Sequence, residues 1–405
     1  MNNKPLKKNE VIKIFKSIKK LKTKIVNVNI ENSNKCILAE DIISSINVPP
    51  FKNSAVDGYA IRNKDINYNG KFKIIEKILA GENKDVELKL GETIRVFTGA
   101  RLPKNAQTVI MQENAIEENN YVTFLQNPKK NQNRRLAGED IKKNKLVFKK
   151  GTIIELSNQS ILASIGLNKI KIYKKLSIGI FTSGNELKNP TKKLIGSQIN
   201  NSNRYALFSL ISQAGFKTTY IGTLKDNLKN IESSIGKAVK KFDIIITTGG
   251  ASVGDEDHLV KIINRMGKLI FWKIAIKPGR PVSFGFIKKK PIICLPGNPV
   301  SVFLLFSMLI KPFFYHLSGS EWIEPKSVPA KINFDMKKKT ERMEWLRVIV
   351  DNKMINELTV SKYNKQGSGI ISSIAFSDGI IEIPEDYSEL KSGDVFRFYS
   401  KDALF

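Results

Sequence analysis

The chain has 405 residues, enough for about two to four domains of ordinary size, and 41% hydrophobic content is ample for packed cores. It carries 67 basic and 38 acidic residues, a formal charge of +29, but Lys dominates over Arg and is spread along the whole length beside abundant Asn and Ile. That spread fits codon bias in an AT-rich genome better than a nucleic-acid footprint, which concentrates Arg and stacking aromatics on one surface.

Two cysteines, Cys36 and Cys294, and two histidines, His258 and His316, exclude a four-ligand zinc site and argue against serine–histidine chemistry. Cys294, in the apolar run PIICLPG, reads as a buried small hydrophobe. The start, MNNKPLKKNEVIK, has no apolar signal segment, and the run Val300 to Ile310 falls short of the ~20 residues that span a bilayer. A cytoplasmic protein with no membrane and no nucleic-acid partner is the expectation.

In chain order, VIKIFKSIKKL has the spacing of an N-terminal amphipathic helix. Residues 1–48 and 147–175 are of mixed character and are expected to pack together as a connecting, dimerising layer that includes this helix. Residues 49–146 carry short strands such as KFKIIEKI, TIRVFTG and QTVIMQE between Gly, Pro and Asn turns, a separate β-rich domain. Within it PPFKNSAVDGYAIR places Asp57-Gly58 between apolar flanks, where a bare hairpin turn is one reading. FTGARLP and AGEDIKKNK are also turn-like, with Asp140 at a hairpin tip.

Residues 176–325 alternate apolar runs with amphipathic stretches, which predicts parallel strands joined by crossover helices. SIGIF is the first strand, a helix follows over Asn203 to Ala214, TTYIG is the second strand, and Leu228 to Lys241 is again helical. Phe242 to Thr248 makes a third strand, and LIFWKIAIKPGRP and PIICLPGNPVS bring two more, the last feeding an apolar helix that ends near Leu317. Glu186, Asp226 and Asp257 each follow the C-terminal end of a predicted strand, the edge at which open α/β sheets bind ligands. Residues 326–405 show strands and turns, a small β module of barrel type.

The glycine loop TTGGASVGDED is the most informative stretch. Gly249, Gly250 and Gly254 let backbone N–H groups approach an anion, but Asp255 and Glu256 stand where a P-loop has its Lys and Ser/Thr. Two readings stand: a divalent cation bridges these carboxylates to a phosphate, or they complement the dipole of the next helix. Downstream, KPGRPVSFG gathers Lys277 and Arg280 around a Pro-Gly turn, with Lys273 four residues earlier, as a polyanion would require. In PGNPVS, Pro299 suits a first helical position and Asn298 an N-cap.

Taken together, PPFKNSAVDGYAIR, TGARLP, RRLAGEDIKK, TSGNEL, TTGGASVGDED, AIKPGRP and LPGNPVS resemble, in order, the molybdopterin molybdenumtransferase (MoeA-type) family, to which the C-terminal part of gephyrin is related. The resemblance implies a four-domain elongated homodimer with a molybdopterin-binding α/β domain facing the Asp-Gly-Tyr segment of the other subunit. It implies insertion of molybdate into adenylylated molybdopterin with Mg²⁺, releasing AMP, and transient contact with the adenylyltransferase that supplies the substrate. Carried onto this sequence, catalytic positions fall on Asp57, Glu186, Asp226, Asp257, Lys273 and Lys277, with Mg²⁺ at Asp257, Glu186 and Asp226. Substrate-binding positions fall on Thr98, Asp140, Gly249, Gly250, Ser252, Gly254, Arg280, Pro296, Pro299, Arg347 and Ser368. Arg280 departs from the Lys expected there, keeping the charge but replacing a point charge with a planar fork. An adenylyltransferase acting one step earlier, a scaffold and a basic nucleic-acid binder remain the competing readings.

Overall fold

A computed structural model describes residues 4–225, 227–249, 258–351 and 357–405. Helix α1, Lys8–Ser17, starts where the Glu10 carboxylate accepts the free N–H of Lys7 (2.7 Å), and it buries Val11, Ile12 and Phe15 as one stripe. The stripe packs on the α/β domain in a core that also takes in Ile37 of the connecting layer. Phe15 stacks on Phe313 (centroids 4.1 Å apart) and meets Phe284 edge-on at 5.2 Å, so the helix belongs to the core of the α/β domain. The larger apolar face captures it. Lys8, almost fully buried, pairs with Glu382 at 2.5 Å, and Glu382 also accepts from Trp345 Nε1 at 2.9 Å.

The rest of the connecting layer is a small antiparallel assembly: Ile25–Asn29 pairs with Lys169–Tyr173, and Ile42–Ile43 with Leu146–Phe148, around Cys36, Leu38, Leu162 and Ile172. Inserted in it is a six-stranded sheet with Gly58–Ile61 second from one edge, between Thr108–Met111 and Glu92–Val96. Gly58 therefore opens a strand rather than turning a hairpin. A Cβ there would stand 1.9 Å from the Ile110 carbonyl oxygen, so only glycine permits this approach.

In the α/β domain the strands are β1 Ser177–Ser183, β2 Lys217–Leu224, β3 Ile244–Thr248, β4 Gly267–Trp272, β5 Ser283–Ile287 and β6 Lys290–Leu295. Helices α2 Ser202–Gln213, α3 Leu228–Lys241 and α4 His258–Met266 lie between them, and α5 spans Pro299–Leu317. The sheet order is β2-β1-β3-β6-β5-β4. The first four strands are parallel, as the periodicity predicts; β3 and almost all of β1 are buried, as expected for strands covered on both faces. The last two pairings, β6–β5 and β5–β4, are antiparallel, so β5 alone runs against the other five strands, which corrects the all-parallel expectation. The reason is local: β5 and β6 are joined by Lys288-Lys289, both at positive φ (49° and 66°), the backbone of a tight hairpin. Two lysines hide that turn, because such positions favour Asn and Gly.

Helix α5 is apolar and long enough to cross a membrane by length and composition, but 89% of its most apolar window is buried inside the protein. It is the central core helix, reaching further than the Val300–Ile310 run suggests. The C-terminal module is a closed barrel: Met343–Asp351, Thr359–Lys362, Val328–Ile332, Val395–Ser400 and Gly379–Ile383 pair in series, and the last pairs back with the first. One short strand of the α/β segment, Ile276–Lys277, runs parallel to Met343 and Glu344 of the barrel. That pairing brings the KPGRP turn to the barrel wall.

Candidate functional site

The chain reverses direction across the sheet between β1 and β3, and the crevice beyond their C-terminal ends is where such sheets take ligands. Gly249 follows β3 at φ 86°, and a Cβ there would lie 2.1 Å from the Ser183 carbonyl oxygen, so only glycine fits at this strand end. Asn203, at the start of α2, ties the ends of β3 and β6 together. Its Nδ2 donates to Thr248 Oγ1 (3.0 Å) and the Gly297 carbonyl (2.6 Å), and Thr248 Oγ1 donates to the Pro296 carbonyl (2.7 Å). Asn203 Oδ1 is buried with no partner. Glu186, after β1, is exposed and has no ion pair among the described residues. Asp226, Gly250, Ser252, Gly254, Asp255, Glu256 and Asp257 lie outside the described residues.

A cleft of about 450 Å³ opens between this edge and the barrel, lined by Lys277, Arg280, Pro296, Asn298, Ser301 and Arg347, with Gln366 to Ser368 and Arg342 completing it. Five predicted site residues, Lys277, Arg280, Pro296, Arg347 and Ser368, thus meet there. Pro299 follows as the first residue of α5, with Asn298 at the N-cap making no side-chain cap bond, and the Val300 N–H donates to the Ser368 carbonyl at 3.2 Å. Arg347 is only 1% exposed. Its guanidinium donates to Ser373 Oγ (3.2 Å) and to the carbonyls of Trp345 (3.1 Å) and Gly367 (3.4 Å), all neutral. Burial therefore pulls it down from 12.5 to about 10, opposed by the charge of Glu344. Glu344 itself pairs with Lys277 at 2.7 Å. Four cations against one carboxylate, a buried guanidinium touching no anion, and a buried Ser301 hydroxyl without a partner leave the cleft electrostatically unfilled. A small polyanion with several acceptor oxygens satisfies that set.

Lys273 does not line this cleft; its ammonium sits over the Trp272 ring, 3.8 Å from the centroid. Asp57 and Thr98 come together elsewhere, in the β-rich domain. The Thr98 N–H and hydroxyl both donate to Asp57 Oδ1 (2.7 and 2.8 Å), which, helped by the nearby Arg95 charge, holds the carboxyl below its usual range. Asp140 is exposed where that domain meets the connecting layer, its N–H donating to the Val48 carbonyl. Sequence reasoning missed Asn203, Ser301 and Glu344. Asn203 carried a usable signal, a polar run INNSNR directly before a helix at the ligand edge; Ser301 and Glu344 acquire meaning only once the barrel docks.

The parts have known counterparts. Residues 6–166 match the model "MoeA N-terminal region (domain I and II)", 179–316 "Probable molybdopterin binding domain", and 329–401 "MoeA C-terminal region (domain IV)". Fold and site therefore define a molybdopterin-binding α/β protein flanked by MoeA-type regions, as the sequence motifs imply. The chain is 34% identical over 369 residues, 91% of each chain, to the molybdopterin molybdenumtransferase of Haemophilus influenzae. It is 32% identical over 375 residues to that of Staphylococcus aureus, covering 91% of this chain and 89% of the relative. The crystal structure of the molybdopterin biosynthesis moeA protein from Pyrococcus horikoshii OT3 superposes with TM-score 0.81 at 29% identity, covering 98% and 100% of the two chains. The chain belongs to the molybdopterin molybdenumtransferase family and is a transferase of molybdenum cofactor biosynthesis.

Proposed function

We propose that the barrel-side cleft takes molybdate and presents it to an adenylylated molybdopterin lying along the C-terminal edge of the α/β sheet, so that molybdenum cofactor forms and AMP leaves. The observation that carries this reading is Arg347, a buried cation without an anionic contact at a cleft that also holds Lys277 and Arg280. A tetrahedral dianion supplies the missing negative charge, and planar guanidinium forks match its oxygens. Gly249 and the loop after it would admit the pterin phosphate to backbone N–H groups, while Asn203 holds the crevice walls.

Mg²⁺ belongs to the same reading. Its chemistry asks for one or two carboxylates beside phosphate oxygens, and the exposed, unpaired Glu186 at the ligand edge fits one such place, with Asp226 and Asp257 as the other ligands. When bound it would neutralise developing charge on the phosphoanhydride. Among the described residues no group of three His, Cys, Asp or Glu could hold a metal, and Asp226 and Asp257 lie outside them; in this reading the substrate's own oxygens would complete the shell. Lys277 and Arg280 would orient the oxyanion and stabilise charge by position.

The Asp57–Thr98 pair is absent from the cleft lining of its own chain. We assign it, with Asp140, to the site of a second subunit in a homodimer. The protein would work in the cytoplasm, receiving its substrate by transient contact with the adenylyltransferase. The central test is AMP release from adenylylated molybdopterin with Mg²⁺, with and without molybdate. Release that is independent of molybdate, or incorporation of AMP from ATP, would overturn the assignment. For the shared site, Asp57→Ala and Asp257→Ala subunits are mixed: activity returning in heterodimers is expected, and none returning from folded, singly inactive homodimers would rule it out.

A further inference from the structure

Arg342 stands outside every motif that points to the site. It lines the 450 Å³ cleft together with Arg280, and the same two residues line a neighbouring cleft of about 580 Å³, whose other walls include Lys4, Lys7, Thr340, Glu385 and Asp386. The two residues therefore lie where the cavities adjoin. Arg342 is half-buried, and among the described residues it has no ion pair and no side-chain hydrogen bond. Two of the carboxylates that line these cavities are occupied, Glu385 by Lys7 at 2.9 Å and Glu344 by Lys277 at 2.7 Å, and Asp386 forms no ion pair with Arg342.

Its backbone is held on both sides. The Glu341 N–H donates to the Glu385 carbonyl (3.1 Å) and the Met343 N–H to the Ala275 carbonyl (2.9 Å). Glu341 is held at φ 78°, a left-handed conformation that is unfavourable for a residue with a side chain and that sets the direction in which the next residue leaves the turn. Strain of this kind, a fixed backbone and an unspent planar cation at a cavity wall describe a ligand contact better than a surface charge.

We propose that Arg342 binds the tetrahedral oxyanion in the cleft, pairing with Arg280 at the mouth while Arg347 acts from the base. Two forks at the mouth select an ion with four acceptor oxygens and a double charge over a monovalent one. The inference rests on the molybdate reading of the cleft, and the experiment separates the two. Molybdate binding to the full chain is measured by isothermal titration for the wild type, Arg342→Ala, Arg342→Lys and, as a control for net charge on the same module, Lys391→Ala. Loss of a charge-assisted contact is expected to weaken binding about ten- to hundredfold in Arg342→Ala, with partial recovery in Arg342→Lys and no change in Lys391→Ala. Binding by Arg342→Ala within about twofold of a wild type that does bind would overturn the role of Arg342 alone. No binding by the wild type would overturn the cleft assignment and this inference with it. Should Arg342→Ala fail to fold, modification of the wild type by phenylglyoxal, mapped by mass spectrometry, tests the same contact. Protection of Arg342 by molybdate but not by chloride is expected, and equal modification in both would refute the contact.

Discussion

Replacing Arg347 with Met separates the ligand-binding role of this side chain from its structural one. In the folded protein the guanidinium titrates at about 10 against 12.5, so holding its charge in the barrel wall costs about 3 kcal/mol. Against that stand three hydrogen bonds to neutral groups, each contributing about 1 kcal/mol net. The two nearly cancel, and Met fills a similar volume, so Arg347→Met should change stability by no more than about 2 kcal/mol. Binding behaves differently. Truncating a buried cation that contacts an anion typically costs about 2–5 kcal/mol, so molybdate affinity should fall roughly thirtyfold to several thousandfold. Titration calorimetry with molybdate gives the affinity and thermal unfolding gives the stability. A variant that binds within about threefold of wild type, or one that loses more than about 4 kcal/mol of stability while still binding, would show that Arg347 is a structural support and that the reasoning is wrong.

Three further outcomes are expected. Thr98→Val removes the hydroxyl donor to Asp57 Oδ1, so the Asp57 titration seen by carboxyl NMR should move up toward the usual aspartate range; no movement would mean the Thr98 side chain does not set it. Lys311, whose ammonium donates to the Leu404 carbonyl at 2.6 Å, is lowered from 10.5 to about 8, first by burial and then by the Lys35 charge. Its folded pKa lies below the unfolded one, so the burial penalty is fully present below about pH 8 and relaxes between about 8 and 10.5. Stability should rise over that window by about 3 kcal/mol, and Lys311→Met should abolish the rise; a flat wild-type profile would refute the account. Gly249→Ala forces a side chain into a left-handed residue 2.1 Å from the Ser183 carbonyl oxygen, and should lower the α/β unfolding transition by at least about 1 kcal/mol. An unchanged calorimetric transition would count against the tight β1–β3 junction.

Much of the α/β domain was legible because its signals are local. The run of β3, the amphipathic spacing of α3 and the Asn298-Pro299 start of α5 are set by side chains within a few residues of one another, and they are found where the spacing predicts them. Legibility failed where a choice depended on distant surfaces. Helix α1 has an unmistakable apolar stripe, but nothing in VIKIFKSIKKL says that Phe313 rather than the connecting layer will receive Phe15. Gly58 looked like half of a hairpin turn because Asp-Gly usually is; only the sheet reveals a strand approaching within 1.9 Å of the position of an absent Cβ.

The family and the kinds of side chain that line the cleft could be read from the chain alone, since motif residues and their spacings are properties of the chain. Which of those groups share a space was settled only by folding. Ile276–Lys277 pairs with Met343 and Glu344, and through that pairing Lys277, Arg280 and Pro296 meet Arg347 and Ser368, while Lys273 turns to Trp272 and Asp57 remains with Thr98. Contacts between residues about seventy positions apart follow from the free energy of whole packed surfaces, which no local pattern of side chains encodes.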